Sequence, residues 1–229
     1  MRYMNCLVTG ASSGIGKGIA IKLSKHVRHI YIIARNVKKL EETNDEIVKN
    51  GCSCTIVPMD LSKEGVIENL SSQIFQKDKF LDLLVLSAGQ IDRLSPVESI
   101  DLKNFNDILN LNFVSNFRMI KYFHPLLKNS KSSHLAVISS QKKDSYNQYW
   151  GIYEPIMSAL NEMVMIYAKE NMNSNIKVNI YCPKAVNTKL RDITIPGEDK
   201  NKLMSPELFA SKVVKLLLDT NVTGKFFNF

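Results

Sequence analysis

Seven short apolar runs alternate along the chain with six longer amphipathic stretches, and no other feature restricts the fold as much. The runs at 5–8, 30–34, 55–58, 83–86, 135–139, 177–181 and 225–229 read as strands. The stretches at 14–25, 38–50, 64–75, 102–127, 156–170 and 205–219 carry apolar residues at helical spacing. Strand–helix alternation implies right-handed crossovers and a parallel sheet covered on both faces. A run such as Leu83-Leu84-Val85-Leu86 agrees, because a strand buried on both sides has no polar face. At 229 residues, with no repeat or low-complexity linker, residues 1–229 are expected to form a single domain.

Composition narrows the class. A hydrophobic content of 45% with 23% charged residues excludes a disordered chain or a collagen-like one. No apolar stretch approaches the ~20 residues that span a bilayer. Polar Thr9, Ser12 and Ser13 follow the start too soon for a signal peptide, so the expected location is cytoplasmic. The net charge of +8 comes mainly from single lysines among Asn and Ser, without a basic block. Neither a nucleic-acid nor a membrane partner is expected. Cys6, Cys52, Cys54 and Cys182 fit no metal spacing, the four histidines stand apart from them, and no metal site is expected.

Between the first run and the first helix lies Thr9-Gly10-Ala11-Ser12-Ser13-Gly14-Ile15-Gly16. A glycine-rich strand-to-helix turn aims backbone N–H groups and the positive end of a helix dipole at one point, which suits a pyrophosphate. The spacing resembles TGxxxGIG, the nucleotide motif of the short-chain dehydrogenase/reductase family. Further along, Ser87-Ala88-Gly89 resembles that family's NAG, with Ser for Asn, and Asn112 its helical asparagine. Ser140, closing Ile138-Ser139-Ser140, resembles the active-site serine. Pro183, Val186 and Thr188 resemble the PGxVxT loop beside the nicotinamide.

The resemblance implies a Rossmann-type doubly wound sheet of about seven parallel strands with helices on both faces. It also implies a dinucleotide cofactor held by Thr9, Gly10, Ser12, Ser13, Gly14, Ile15, Gly16, Ser87, Ala88, Gly89, Pro183, Val186 and Thr188. Asp60-Leu61 resembles the pair whose Asp meets the adenine, although Asp60 or Ser62 also suits a helix N-cap. Ala34-Arg35-Asn36 puts an arginine where a carboxylate would select NAD. Arg35 can pair with a 2′-phosphate, so NADP is expected ahead of NAD.

In the resembled family a tyrosine donates the proton, a serine polarises the carbonyl, and a lysine four residues after the tyrosine acidifies it and binds the nicotinamide ribose. Thirteen residues beyond Ser140 stands Tyr153, ahead of Tyr149 and Tyr146 for that role. Asn112, Ser140 and Tyr153 are thus the expected catalytic set. The lysine position is Met157, and no tyrosine of this chain begins a YxxxK. Pro155 places the helix start near Tyr153, since proline is best accommodated in a first turn. Lys184 replaces the glycine after Pro183; Lys184, Lys142 and Lys143 are the cations that could substitute for the missing one. The expected activity is hydride transfer between NADP(H) and a small carbonyl or alcohol substrate, with impaired catalysis. The alternative is a nucleotide-binding pseudoenzyme. Residues 187–204 are left as a lid. A homodimer through helices 102–127 and 156–170 is expected, and a tetramer less so because little chain follows the last strand.

Overall fold

The computed structural model describes residues 3–140 and 147–229. Its sheet has seven parallel strands: β1 Tyr3–Thr9, β2 Val27–Ala34, β3 Ser53–Pro58, β4 Leu83–Leu86, β5 Ser133–Ile138, β6 Ile176–Cys182 and β7 Lys225–Asn228. They lie in the order β3-β2-β1-β4-β5-β6-β7. The helices are α1 Gly14–Leu23, α2 Val37–Lys49, α3 Val66–Asp78, α4 Leu102–Leu109, α5 Ser115–Asn129, α6 Tyr153–Glu170, α7 Lys189–Thr194 and α8 Pro206–Asp219.

Successive strand residues point to opposite faces, and this sorts the core into two layers. Cys6, Val8, Ile30, Ile32, Leu83 and Val85 pack with α1, α2 and α8. Leu7, Ile33, Leu84, Leu86, Leu135 and Val137 pack with α3, α5 and α6 on the other side. Full burial of each such side chain contributes about 1.5–3 kcal/mol, so both layers are needed to hold the sheet. The expected doubly wound α/β fold is what the chain forms. Strand order reverses between β1 and β4, and a parallel sheet opens a crevice at such a switch point, outside the strands' C-terminal ends.

Two local expectations are corrected, and the lid segment gains an element. The stretch 102–127 is not one helix: a π-helical turn, Asn110–Val114, separates α4 from α5. The Ser115 N–H bonds the Asn110 carbonyl, five residues back, while the Asn116 side-chain amide takes the Asn112 carbonyl at 2.6 Å. Neither Asp60 nor Ser62 caps α3, whose cap is Gly65 in the left-handed region at φ 75°. Asp60 instead accepts the Ser62 N–H at 3.0 Å, closing a tight turn. Finally, 187–204 holds a short helix, α7, capped by the Thr188 hydroxyl accepting from the Arg191 N–H. The start of α6 at Tyr153 is as Pro155 required; the proline sits at the third helical position, where a missing N–H costs no helical bond.

Candidate active site

A cleft of about 990 Å³ opens at the switch point. Its floor is the glycine-rich turn. Gly10, at φ 69°, is close to the end of β4: a Cβ there would lie 2.9 Å from the backbone of Ala88 and Ser87. A Cβ on Gly16 would lie 2.4 Å from the Gly10 carbonyl oxygen, so α1 starts tight against the turn only with glycine at both positions. The α1 cap, Ser13, makes no side-chain capping bond. Gly14, Ile15 and Gly16, whose N–H groups have no partner within the helix, line the cleft together with Gly10, Ser12 and Ser13. Donors aimed into a space that side chains would fill fit the phosphates of a dinucleotide.

Thr9 alone among the expected binding residues lies behind the cleft wall. Its buried hydroxyl accepts the N–H groups of Ser87 (2.9 Å) and Ala88 (3.1 Å) and donates to the Val85 carbonyl. Thr9 fastens the end of β1 to the end of β4. Arg35, Asp60, Leu61, Ser87, Ala88, Gly89, Pro183, Val186 and Thr188 all line the cleft. Arg35 is exposed at the rim, with no carboxylate in ion-pair contact among the described residues. Asn36 beside it caps α2 by accepting the Lys39 N–H at 3.0 Å.

Asn112, Ser140 and Tyr153 also line the cleft. Asn112 is buried on the π turn with its amide engaged at both ends: Oδ1 accepts the Gln90 N–H (2.9 Å), and Nδ2 donates to the Gln90 carbonyl (2.8 Å). Tyr153 heads α6, its ring edge-on to Trp150 at 6.1 Å. Burial, reinforced by the nearby Cys182 thiol, pushes its phenol up to about 12. One turn along α6, Met157 is 5% exposed and packs into the core, its sulfur 3.9 Å from Asn112 Nδ2. An apolar thioether therefore stands where the resemblance called for an ammonium, and among the described residues no cation offsets the effect of burial on the phenol.

Lys184 lines the cleft as an exposed side chain. Lys142, Lys143 and Tyr146 lie outside the described residues. The lid is pinned at its base: Asn187 N–H donates to the Met204 carbonyl and Met204 N–H to that of Ala185. Within it, Arg191 Nε and Nη2 donate to the two carboxylate oxygens of Glu198, at 2.5 and 2.7 Å.

Two residues escaped the sequence reading. Asn161, 4% exposed on α6, accepts the Ser139 hydroxyl at 2.6 Å and donates to the Ser140 carbonyl at 3.1 Å. It ties the helix carrying Tyr153 to the strand end carrying Ser140. The signal was present: a polar residue eight positions after Tyr153 and four after Met157 shares their helical face. Cys182, buried at the end of β6, donates its thiol to the same Ser140 carbonyl at 3.4 Å. Its spacing to other cysteines held no clue to that contact.

Among the described residues there is no group of three or more side chains that could hold a metal ion, and no helix long and apolar enough to cross a membrane. A family model described as short chain dehydrogenase matches residues 4–198. A tropinone reductase homolog from Arabidopsis thaliana is 30% identical over 206 residues, which cover 88% of this chain and 77% of that protein. An alcohol dehydrogenase from the archaeon Thermococcus sibiricus, solved with 5-hydroxy-NADP, superposes with a TM-score of 0.88 at 25% identity, over 99% of this chain and 95% of that one. A short chain dehydrogenase from Shigella flexneri, solved with NADP, gives 0.88 at 25% identity over 98% and 96%.

Proposed function

The chain belongs to the short-chain dehydrogenase family, and from that premise we propose that it binds NADP(H) in the cleft and acts on a small carbonyl or alcohol with weakened proton transfer. The observation that carries the reading is the row of uncapped α1 N–H groups opening onto the same cleft as Ser140 and Tyr153. Arg35 supports NADP over NAD, because a guanidinium at the rim pairs with a 2′-phosphate and no acidic residue there repels it. The Thermococcus and Shigella proteins were solved with an NADP derivative and with NADP.

NADPH, when bound, supplies the hydride. The chain's own part is to hold the substrate oxygen and move a proton to it. Ser140 Oγ donates a hydrogen bond to that oxygen, and Tyr153 Oη delivers the proton. A phenol near 12 is fully protonated at neutral pH, so it is ready for reduction. It is a poor base for alcohol oxidation, which needs the tyrosinate.

Exposed apolar side chains on α5 and α6, Phe117 (47% exposed) and Ile166 (58%), support a homodimer built on these helices. Four free thiols suit a reducing cytoplasm. Calorimetric titration with NADPH and NADH, followed by a carbonyl screen read as NADPH oxidation, tests the reading. Failure to bind either nucleotide overturns it. Binding without turnover on any carbonyl leaves the pseudoenzyme.

A further inference from the structure

We propose that the end of the molecule opposite the cleft docks on an anionic lipid surface, through a field of lysines and four protruding apolar side chains. In a parallel sheet every strand starts, and every crossover helix finishes, at the same end. The cleft opens at the other end. The lysines stand singly in the sequence, so their spacing gave no sign of a membrane partner; the topology gathers them.

From the last turn of each crossover helix to the second residue of the strand that follows, the described residues include eleven cations. Lys22, Lys49, Lys77, Lys79, Lys128 and Lys169 lie in or next to last helical turns, where a cation also suits the negative end of the helix dipole. Lys25, Arg28, Lys131, Lys177 and Lys225 lie past those turns, beyond the reach of the dipole. None of the eleven forms an ion pair among the described residues. The same stretches hold five carboxylates, and three of these are engaged. Glu46 is held by Lys17, Asp78 by the Tyr31 hydroxyl, and buried Asp82 by the Asn5 N–H and the Ser130 hydroxyl. Glu170 and Asp219 alone stay exposed. Eleven cations against five carboxylates put six of the chain's +8 charges at this end.

Apolar side chains protrude among the lysines. Val48 (54% exposed) closes α2, Phe75 lies in the last turn of α3 under the Lys79 ammonium, Met172 (58%) follows α6, and Val222 precedes β7. They stand before β3, β4, β6 and β7, and so run along the whole width of the sheet, about 29 Å at the usual strand spacing. Such side chains enter a headgroup layer while the ammonium groups meet lipid phosphates. A nucleic acid would favour arginine, and ten of the eleven cations are lysine. Docked this way, the cleft faces the aqueous phase and stays open to nucleotide and substrate.

The test is sedimentation of the full chain with vesicles of phosphatidylcholine, alone or with about 30% phosphatidylserine, at low and high salt. We expect binding to the anionic vesicles only, lost at high salt. The triple variant Lys25→Gln, Lys131→Gln, Lys225→Gln should bind about a hundredfold more weakly, at about fivefold for each cation removed. A second triple, Lys103→Gln, Lys200→Gln, Lys202→Gln, removes the same charge from α4 and the lid, at the cleft end, and should bind as wild type does. Val48→Ser with Met172→Ser should weaken binding and leave its salt dependence intact. Should the first triple not fold, Lys131→Gln against Lys202→Gln decides by the same comparison, about fivefold against no change. Absence of binding to anionic vesicles overturns the proposal. So do equal losses in the two lysine sets, which would mark net charge without a docking end. Wild-type binding by the Val48–Met172 variant, with equal affinity for an oligonucleotide, also overturns it and assigns the face to nucleic acid. No arm uses nucleotide or turnover, so the outcome is independent of the function proposed for the cleft.

Discussion

Replacing Met157 by lysine puts an ammonium one helical turn from Tyr153, on the same face of α6. With its phenol near 12, five units above neutrality, Tyr153 is tyrosinate in only about one molecule in 10⁵ at pH 7. A cation at that distance lowers such a pKa by about 1–3 units, a differential stabilisation of about 1.4–4 kcal/mol. Tyrosinate at neutral pH then rises by about ten- to a thousandfold, and alcohol oxidation that uses it as base should rise by a smaller factor, because each tyrosinate is then a weaker base. The lysine also loses the buried thioether packing, at about 1–3 kcal/mol of stability, although its head group can extend into the cleft that Met157 lines.

The assay is the pH profile of NADP-dependent alcohol oxidation in four proteins: wild type, Met157→Lys, Tyr153→Phe and the double variant. The alkaline limb should move to lower pH in Met157→Lys, and the gain should vanish in the double variant. Ultraviolet difference titration of the phenol gives the same answer without a substrate. An unmoved phenol inflection, or a gain that survives Tyr153→Phe, would refute the reasoning. In the second case another group carries the proton, and Lys184→Ala is the next variant.

Arg35→Ala should weaken NADPH binding by about ten- to a hundredfold and leave NADH unchanged, as read by calorimetry; equal wild-type affinities for the two would remove Arg35 as the selector. Gly16→Ala forces a Cβ to within 2.4 Å of the Gly10 carbonyl oxygen, so backbone must shift. A cost of about 2 kcal/mol lowers the thermal midpoint by about 4–8 °C, and nucleotide affinity should fall with it. Asn161→Leu leaves the buried Ser139 hydroxyl unpaired and frees the Ser140 carbonyl; about 2–4 kcal/mol of stability should be lost in chemical denaturation, against almost none for an exposed α6 substitution such as Glu162→Gln. Burial raises Cys52 to about 11 and Cys54, Cys182, Tyr153 and Tyr167 to about 12. The unfolded chain ionises these groups first, so their contribution is complete below about pH 9 and is lost as pH rises through 11–12. Stability should fall steeply over that window, and a flat profile would contradict the burial.

The strands were legible because a parallel strand covered on both faces must be apolar throughout, and little else in a chain of this length is. Helix ends were less legible where side chains compete with the backbone. Nothing in the apolar spacing of 102–127 marks the π turn; its causes are the Ser115 hydroxyl on the Leu111 carbonyl and the Asn116 amide on that of Asn112, both at 2.6 Å. At six residues α7 is too short to show a period, and it depends on the Thr188 cap and on Arg191–Glu198, seven residues apart. Asp60 and Ser62 had the chemistry of a cap, but a left-handed glycine three residues beyond Ser62 starts α3 instead.

The motif letters and the bonds they make separate two things the sequence merged. Thr9 and Asn112 match their motifs, yet both spend their side chains on main-chain groups: Thr9 on the end of β4, Asn112 on Gln90. Such residues preserve the spacing of the cleft walls whether or not a proton moves between them. Asn161 does the same for Ser140 relative to α6. Met157 takes no part in this framework beyond a thioether contact with an amide already satisfied elsewhere. Losing the lysine there removes charge without loosening the walls. On the proposed function, affinity for the dinucleotide phosphates and the rate of proton transfer are then set by different residues. A substitution at 157 should change the second with little effect on the first, whereas Gly16 and Arg35 should act on the first.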